Sequence, residues 1–235
     1  MAVKLPKRTL EELDQLMDKL ANGEPEVRQE AMVRLQNHES SGRIPLEALL
    51  EMADDANMTM SMYGIMALGR NGSSRAVQKL ARLVADHRDG NVVYLETLVD
   101  ALGATAKKSA APVLLELLGI NITRKGKILG WLGRGKDKEQ RDEGQRRLQE
   151  YLTLPVVRAV ENLLDPMAAA ALNGFLHHHD PLVRWHAIQA LLKSRVTEFN
   201  DKLQDISRND TNSMVKEAAE IALIELAPLP QPLNN

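Results

Sequence analysis

The sequence contains no cysteine, which excludes disulfide bonds and thiolate metal sites. Only 3% of its 235 residues are aromatic, although 44% are hydrophobic. A core made mostly of Leu, Ala, Val, Ile and Met favours packed helices over β-sheets, in which aromatic and β-branched side chains are preferred. No apolar stretch approaches the roughly 20 residues that a membrane-spanning helix needs, and the first residues lack the apolar run of a secretory signal peptide. We therefore expect a helical protein of the cytoplasm that has no membrane partner.

A pattern of capping and apolar residues recurs along the chain, with successive caps 27 to 34 residues apart. Each repeat has a capping residue, an apolar residue three positions later, a small or apolar residue after four more, and Leu after another four. Five repeats match well, namely Glu24-Val27-Ala31-Leu35, Asn57-Met60-Gly64-Leu68, Asn91-Tyr94-Leu98-Leu102, Asp180-Val183-Ala187-Leu191 and Asn212-Val215-Ala219-Leu223. Two match weakly, Asn121-Arg124-Ile128-Leu132 and Thr153-Val156-Val160-Leu164. Because residues four apart lie along one helix face, each repeat predicts one capped amphipathic helix.

The segments between these helices supply a second helix for each repeat. Examples are LEELDQLMDKL at 10–20 and AVQKLARLVA at 76–85, both of which have an apolar stripe. A helix pair repeated at this interval predicts an all-α protein, an α-solenoid of about seven helix pairs, in which each pair buries its apolar face against its neighbours. No linker divides the sequence. We therefore expect one domain over residues 1–228, followed by a Pro-rich tail at 229–235.

The segment DPLVRWHAIQALL at 180–192 contains the pattern Asp-Pro-x-Val-Arg-x-x-Ala-x-x-x-Leu. It resembles HEAT-like repeats of the short bacterial kind, which are also found in phycobilin lyases. The resemblance implies a bacterial solenoid with a scaffold or adaptor role. Deoxyhypusine hydroxylase is built from similar repeats and holds two irons with His-Glu pairs directly before the small residue of the stripe. None of the five strong repeats has a His-Glu pair there, so we do not expect that activity.

Two clusters contain residue types that bind metals. Three consecutive histidines at 177–179 precede Asp180 and His186, and histidine is favoured at helix C-termini by the helix dipole. The alternative is a weak zinc site formed by the middle histidine with Asp180 and His186. The methionines at 58–66 alternate along a helix, so successive thioethers point about 200° apart, which favours core packing over Cu(I) binding. We expect no metal and no cofactor.

Catalytic motifs are missing from the sequence, and its charge is unevenly distributed. It has no Gly-rich phosphate loop, nucleophile elbow or His-Glu-x-x-His motif, so we expect a protein that is not an enzyme. Residues 120–158 contain 10 basic and 5 acidic side chains, whereas the whole chain has a net charge of −2. This segment is interpreted as a solvated surface of mixed charge, a docking site for an acidic protein, or a patch that binds nucleic acid by counterion release.

The function hypothesis is a non-catalytic protein–protein interaction module, a scaffold or adaptor that presents a concave helical surface to a partner protein. The alternative is a nucleic-acid-binding protein that uses the basic segment 120–158. The candidate partner-binding residues lie beside the stripe of the capped helices or in the basic segment. They are Arg28, Arg34, Arg184, Gln189, Lys193, Lys216, Arg124, Lys127, Trp131 and Arg134. Arg28, Arg184 and Lys216 share one register, which also suits a structural ladder with acidic residues of neighbouring repeats.

Overall fold

The computed structural model of the chain describes residues 7–40, 44–87, 91–122, 128–129 and 139–227. Over these ranges the fold is all-α, with twelve α-helices that pack in neighbouring pairs. The helices are α1 Lys7–Asn22, α2 Pro25–Ser40, α3 Leu46–Met52, α4 Met58–Asn71, α5 Ser74–Asp86, α6 Val92–Ala104, α7 Ala111–Leu117, α8 Glu139–Leu163, α9 Pro166–Ala171, α10 Pro181–Lys193, α11 Asn200–Asn209 and α12 Ser213–Leu226. Short 3-10 segments, Lys108–Ala110 and Leu172–His177, precede α7 and follow α9. The α-solenoid class is thereby confirmed.

The chain divides into two compact units, Met1–Thr105 and Ala106–Asn235. The first unit contains the pairs α1–α2, α3–α4 and α5–α6, and the second contains α7–α8, α9–α10 and α11–α12. We call α2, α4, α6, α8, α10 and α12 the second helices. Within each unit they also pack on one another, α4 on α6 and α10 on both α8 and α12. The single domain over residues 1–228 stays a prediction.

The predicted helix caps are confirmed in four of the five strong repeats. The Asn57 side chain accepts hydrogen bonds from the backbone N–H groups of Thr59 and Met60, at 3.0 and 3.2 Å. Asn91, Asp180 and Asn212 cap α6, α10 and α12 in the same way. Each satisfies N–H groups that have no partner inside the helix, so these four residues fix where the second helices begin.

Most residues of the apolar stripes that follow the caps lie in the core of their unit, but Val27 on α2 is 38% exposed and Leu223 on α12 is half-buried. In α10 the stripe residues Val183, Ala187 and Leu191 are fully buried. In α4 the middle position is Gly64, and an added Cβ there would lie 2.5 Å from the backbone nitrogen of Ala53. The small residue in the pattern is therefore explained by the close approach of the preceding turn to the second helix.

The structure departs from the sequence prediction at the two weak repeats. The prediction of a helix that starts at Asn121 is wrong in the described residues. Two short antiparallel strands pair there instead, β1 Asn121–Ile122 and β2 Ile128–Leu129. The helix predicted to start after Thr153 is the second half of the continuous helix α8. The Thr153 hydroxyl donates to the carbonyl of Gln149, at 2.7 Å, and so does not cap a new helix. The described residues consequently form six helix pairs.

Among the described residues, no helix combines the length and the hydropathy needed to cross a membrane.

Candidate functional site

The second helices of the second unit expose a row of side chains opposite their buried stripe. On α10 the row consists of Leu182, Trp185, Gln189 and Lys193, each half-buried or exposed. Their spacing of three and four residues places them along one helix face, which we call the α10 ridge. Since α8 and α12 pack on either side of α10, the ridge lies in the middle of the surface formed by these three helices. The predicted residues Gln189 and Lys193 are together on this ridge.

A buried carboxylate on the neighbouring helix α8 holds two side chains of α10 in place. Glu161 has a side chain only 6% exposed, and one of its carboxylate oxygens lies 2.6 Å from Nδ1 of His186. The other oxygen accepts a hydrogen bond from Nζ of Lys193. Burial by itself raises the pKa of Glu161, but the hydrogen bonds from His186 and Lys193 outweigh it, so the pKa lies below its ordinary value of 4.5. Glu161 is therefore ionised, and it orients the exposed Lys193 ammonium group on the ridge.

The first unit contains a second arrangement of this kind between α2 and α4. Arg70 donates from Nε and Nη2 to the two carboxylate oxygens of Glu39, at 2.8 and 2.7 Å. The hydroxyl of Tyr63 donates to the same carboxylate at 3.3 Å. Tyr63 is fully buried, and burial followed by the nearby charge of Glu39 raises the pKa of its hydroxyl, which keeps the group protonated. We call each of these arrangements a carboxylate clamp.

The two clamps use the same positions of the helical repeat. Tyr63 and His186 are each the sixth residue after the capping residue of their helix, and Arg70 and Lys193 are each the thirteenth. In both cases the carboxylate comes from the preceding second helix. A charged and hydrogen-bonded pair of this type fixes the relative position of two neighbouring helices. The clamps thus hold adjacent second helices in register in both units.

Of the three residues that share the register of a ladder, Arg184 pairs with an acidic residue of the neighbouring repeat, whereas Lys216 donates to a backbone carbonyl. The buried guanidinium donates to both carboxylate oxygens of Asp210, at 2.8 and 2.7 Å, and to the carbonyls of His178 and His179, at 2.7 and 3.1 Å. Desolvation by itself raises the pKa of Asp210. The hydrogen bonds from Arg184 and from the N–H of Asn212 lower it by more, so the pKa lies below its ordinary value of 3.8. Arg184 therefore joins the turn before α10 to the turn before α12.

The remaining candidates on second helices occupy separate places. Arg34 is exposed on α2, and its guanidinium lies 3.1 Å from Glu30 on the same helix. Arg28 is half-buried on α2. Lys216 is half-buried on α12, and its Nζ donates to the carbonyl of Arg208 at 3.0 Å. Their binding role stays a prediction. The candidates of the basic segment lie outside the described residues: Arg124, Lys127, Trp131 and Arg134.

The clustered histidines make packing and turn contacts. Nδ1 of His178 accepts a hydrogen bond from the backbone N–H of Asp180 at 3.2 Å, and the rings of His178 and His179 have centroids 4.2 Å apart. Burial, and then the neighbouring His179, lowers the pKa of His178. His186 belongs to the clamp. The part of the chain that the structure describes shows no group of three or more His, Asp or Glu side chains arranged to hold a metal ion.

The acidic residues of the clamps and the ladder were missed by sequence reasoning. Glu39, Glu161 and Asp210 lie 24, 25 and 26 residues before or after the residues that they bind, Tyr63, His186 and Arg184. Sequence separations close to one repeat length are the signal that could have found them. Pairing each polar residue of a capped helix with the acids about one repeat away would have included all three.

Comparisons with known proteins agree with this architecture. Residues 149–224 match the family model described as HEAT repeats. The structure of the complex of CpcE and CpcF of phycocyanin lyase from Nostoc sp. PCC7120 is similar, with 17% identity and a TM-score of 0.52 over 93% of this chain and 77% of that chain. No curated protein matches the sequence at a significant level.

Two further structures are more distant. A designed armadillo repeat protein shares 16% identity over 92% of this chain and all 100% of that chain, with a TM-score of 0.48. Human deoxyhypusine hydroxylase in complex with glycerol shares 16% identity over 93% of this chain and 97% of that chain, with a TM-score of 0.35. At these values neither likeness supports a conclusion about this chain, and the likeness to the CpcE and CpcF complex shows the fold alone.

The helix pairs, the capped second helices and the carboxylate clamps define an α-solenoid built from helical repeats. Over residues 149–224, which belong to the second unit, this solenoid is similar to HEAT repeats.

Proposed function

We propose that this HEAT-like protein is a non-catalytic interaction module whose second helices bind a partner protein. The observation that carries the proposal is the α10 ridge, where Glu161 holds the Lys193 ammonium group beside Gln189 and Trp185. Indole, amide and ammonium groups recognise protein surfaces, and the contact with Glu161 lowers the cost of ordering the Lys193 side chain on binding. HEAT and armadillo repeats commonly serve as interaction scaffolds, which agrees with this proposal.

The proposal keeps the cytoplasmic location and bacterial origin that the sequence favoured, and it assigns no catalytic step to the chain. Helical repeats by themselves specify no activity, so the side chains of the ridge determine what the surface binds.

Gln189→Arg tests the ridge directly. Placing a long charged side chain in the middle of the ridge obstructs any partner that lies on it, so we expect recovery of the partner to fall at least about tenfold, equivalent to about 1.4 kcal/mol. The measurement is affinity purification of the full chain from nuclease-treated extract, with quantification of a protein recovered in a stoichiometric amount. Gln204→Arg is the matched control, since Gln204 is exposed on α11, which is a first helix of the same unit.

Equal partner recovery with both variants would place the contact elsewhere and contradict the proposal. Recovery of nucleic acid in place of a protein in a parallel purification without nuclease treatment, with a steep dependence on salt concentration, would favour the alternative function. Circular dichroism of both variants, compared with the unmodified protein, shows whether each is folded.

A further inference from the structure

A second helix presents one row of residues to the second helix that follows it. In α4, which Asn57 caps, Ser61 and Gly69 are the fourth and twelfth residues after the cap. The buried Ser61 hydroxyl lies 3.1 Å from the hydroxyl of Tyr94 on α6. An added Cβ at Gly69 would lie 2.8 Å from the carbonyl oxygen of Ala101 on α6. Because residues four apart share a helix face, we call the residues four, eight and twelve positions after a cap the forward row.

The forward row of α10 is buried in the same way in the second unit. It consists of Arg184, Ile188 and Leu192. Arg184 binds Asp210 in the turn before α12, while Ile188 and Leu192 are 0% and 9% exposed. Since α12 packs on α10, the forward row is the place where the following second helix lies.

The forward row of α12 has no such cover among the described residues, of which α12 is the last helix. The row consists of Lys216, Glu220 and Ile224. Ile224 occupies the position of the buried Leu192 of α10, yet it is 74% exposed, more than any other large hydrophobic side chain in the described ranges. A solenoid repeat without a following repeat normally has a polar outer face. An isoleucine at this position therefore indicates a contact with another molecule.

The exposed residues around Ile224 form one continuous face. Ile221, which is 41% exposed, and Glu217 and Glu220, which are exposed, precede it by three, seven and four positions. Side chains three or four residues apart on a helix are neighbours, so the continuity of these four residues follows from the geometry of α12 alone. We call Glu217, Glu220, Ile221 and Ile224 the α12 face. Its N-terminal half is acidic and its C-terminal half is apolar.

The two glutamates of the α12 face are available to a partner. Within the residues that the structure describes, the side chains of Glu217 and Glu220 form no hydrogen bond or ion pair. The nearest cations are engaged with backbone carbonyls. Nζ of Lys216 donates to a carbonyl at the end of α11 at 3.0 Å, and the guanidinium of Arg195 donates to the carbonyl of Glu225 at 2.7 Å.

The charge of this part of the chain argues against several other occupants. Residues 195–227 contain 4 basic and 7 acidic side chains. A negative surface repels nucleic acid and anionic lipid surfaces. A second copy would bring Glu217 and Glu220 of its own α12 face, so that like charges would meet. A protein segment that carries cations beside apolar residues matches both halves of the face.

We propose that the α12 face binds an amphipathic helix of a partner protein with Lys or Arg at the edge of its apolar side. The apolar side covers Ile221 and Ile224, and the cations pair with Glu217 and Glu220. The bound helix takes the place on α12 that α12 itself takes on α10. Recognition of an amphipathic helix through apolar contacts and complementary charge is an established mode of protein binding. The inference rests on the proposed function and adds to it the position and chemistry of a second contact.

Two synthetic peptides test the inference with the full chain. Both are amphipathic helices of about five turns with the same leucine side, and their polar positions carry either lysine or glutamate. In a fluorescence-anisotropy titration, we expect the Leu/Lys peptide to bind and the Leu/Glu peptide to bind at least about tenfold more weakly, because Glu217 and Glu220 repel it. Equal affinities, or no binding of the Leu/Lys peptide, would overturn the inference.

Matched variants separate the acidic half of the face from general charge attraction. Glu217→Gln combined with Glu220→Gln removes two charges, and we expect it to weaken binding of the Leu/Lys peptide about tenfold. Glu26→Gln combined with Glu51→Gln removes two exposed glutamates from the first unit and should leave the affinity unchanged. Equal effects of the two double variants would contradict the inference.

A second matched pair tests the apolar half. Ile224→Ala is expected to weaken the Leu/Lys peptide about tenfold, whereas Val33→Ala, at a residue that is 51% exposed on α2, should leave its affinity unchanged. Because both side chains are exposed, neither change affects the core, and circular dichroism of both variants checks the fold. If Ile224→Ala binds the peptide as the unmodified chain does, the inference is wrong.

Other occupants give different results. A dimer in sedimentation velocity that Ile224→Ala dissociates would assign the α12 face to a second copy and overturn the inference. Binding of the Leu/Lys peptide only after removal of residues 228–235 would assign the face to the chain's own tail, with the same consequence. The proposed function is tested separately at Gln189 on α10 with a partner from extract, so it can stand if the peptide experiments fail.

Discussion

Replacing Arg184 with alanine lowers the free energy of unfolding by about 3–5 kcal/mol, the range for removing one partner of a buried ion pair. The reason is that Asp210 stays buried and ionised without the two hydrogen bonds that it receives from the guanidinium. The carbonyls of His178 and His179 lose a donor at the same time. The measurement is urea unfolding followed by tryptophan fluorescence, since both tryptophans, Trp131 and Trp185, belong to the second unit.

The pH dependence of this effect has a definite sign. Because the pKa of Asp210 is lowered in the folded protein, its stabilising contribution is fully present above the ordinary value of 3.8. The contribution is lost as the pH falls through the folded pKa, where Asp210 becomes protonated in both states. The difference in stability between the unmodified protein and Arg184→Ala is therefore expected to be constant near neutral pH and to shrink below about pH 4.

Arg208→Ala serves as the control, since Arg208 is exposed on α11 and surface substitutions change stability by about 0.5 kcal/mol or less. A loss smaller than about 1 kcal/mol for Arg184→Ala would contradict a structural role for the buried pair, because a typical single hydrogen bond contributes that much. In that case Arg184 would return to the set of partner-binding candidates.

Gly64→Ala is expected to lower the free energy of unfolding by about 1–3 kcal/mol, the usual cost of overpacking a core. In an unpacked helix the same change stabilises by about 1 kcal/mol, because alanine has the higher helix propensity. Here the added Cβ lies 2.5 Å from the Ala53 nitrogen and 2.7 Å from the Met52 carbonyl carbon, both of which are backbone atoms. The turn after α3 must therefore move away from α4, which loosens the pair.

Gly174→Ala is the control for this substitution, since an added Cβ at Gly174 meets nothing within 4 Å. We expect it to change stability by no more than about 0.5 kcal/mol. Both variants are measured by urea unfolding followed by circular dichroism at 222 nm, which reports on helices throughout the chain. If Gly64→Ala is as stable as the unmodified protein or more stable, the close contact between α4 and the preceding turn is not a determinant of the repeat.

The parts of the fold that the sequence predicted correctly are those that depend on local chemistry. Asn57 and Asp180 accept hydrogen bonds from N–H groups two or three residues away, and such contacts follow from residue type and spacing alone. The four-residue spacing of Val183, Ala187 and Leu191 places all three on one face whatever the neighbouring helices are. Strong repeats were for that reason predictable.

The predictions from the two weak repeats were wrong because the same local sequence signals are compatible with more than one structure. Thr153 is a good capping residue, but in α8 its hydroxyl binds the carbonyl of Gln149 and the helix continues through Pro155. Asn121 is equally suitable as a cap, yet it pairs with Leu129 across two short strands. Local preference alone does not decide between these states.

The candidate site was predictable only in part. Gln189 and Lys193 were identified from their place beside the stripe, and the structure brings them together on the α10 ridge. The contact of Lys193 with Glu161 depends on how α8 packs against α10, which no pattern within one repeat specifies. The position of Arg184 in the repeat was compatible with a structural ion pair and with a partner-binding role. Only the position of Asp210, which depends on tertiary packing, distinguishes the two.

Site-specific photo-crosslinking tests most directly whether the second helices form the binding surface. A photoreactive phenylalanine analogue replaces either Gln189 on the α10 ridge or Gln204 on the exposed face of α11, so that the two probes substitute the same residue type in one unit. After irradiation in extract, we expect a discrete covalent adduct with one partner protein from position 189 and none from position 204. An adduct formed from position 204 alone would show that the partner lies on the first helices and would contradict the account.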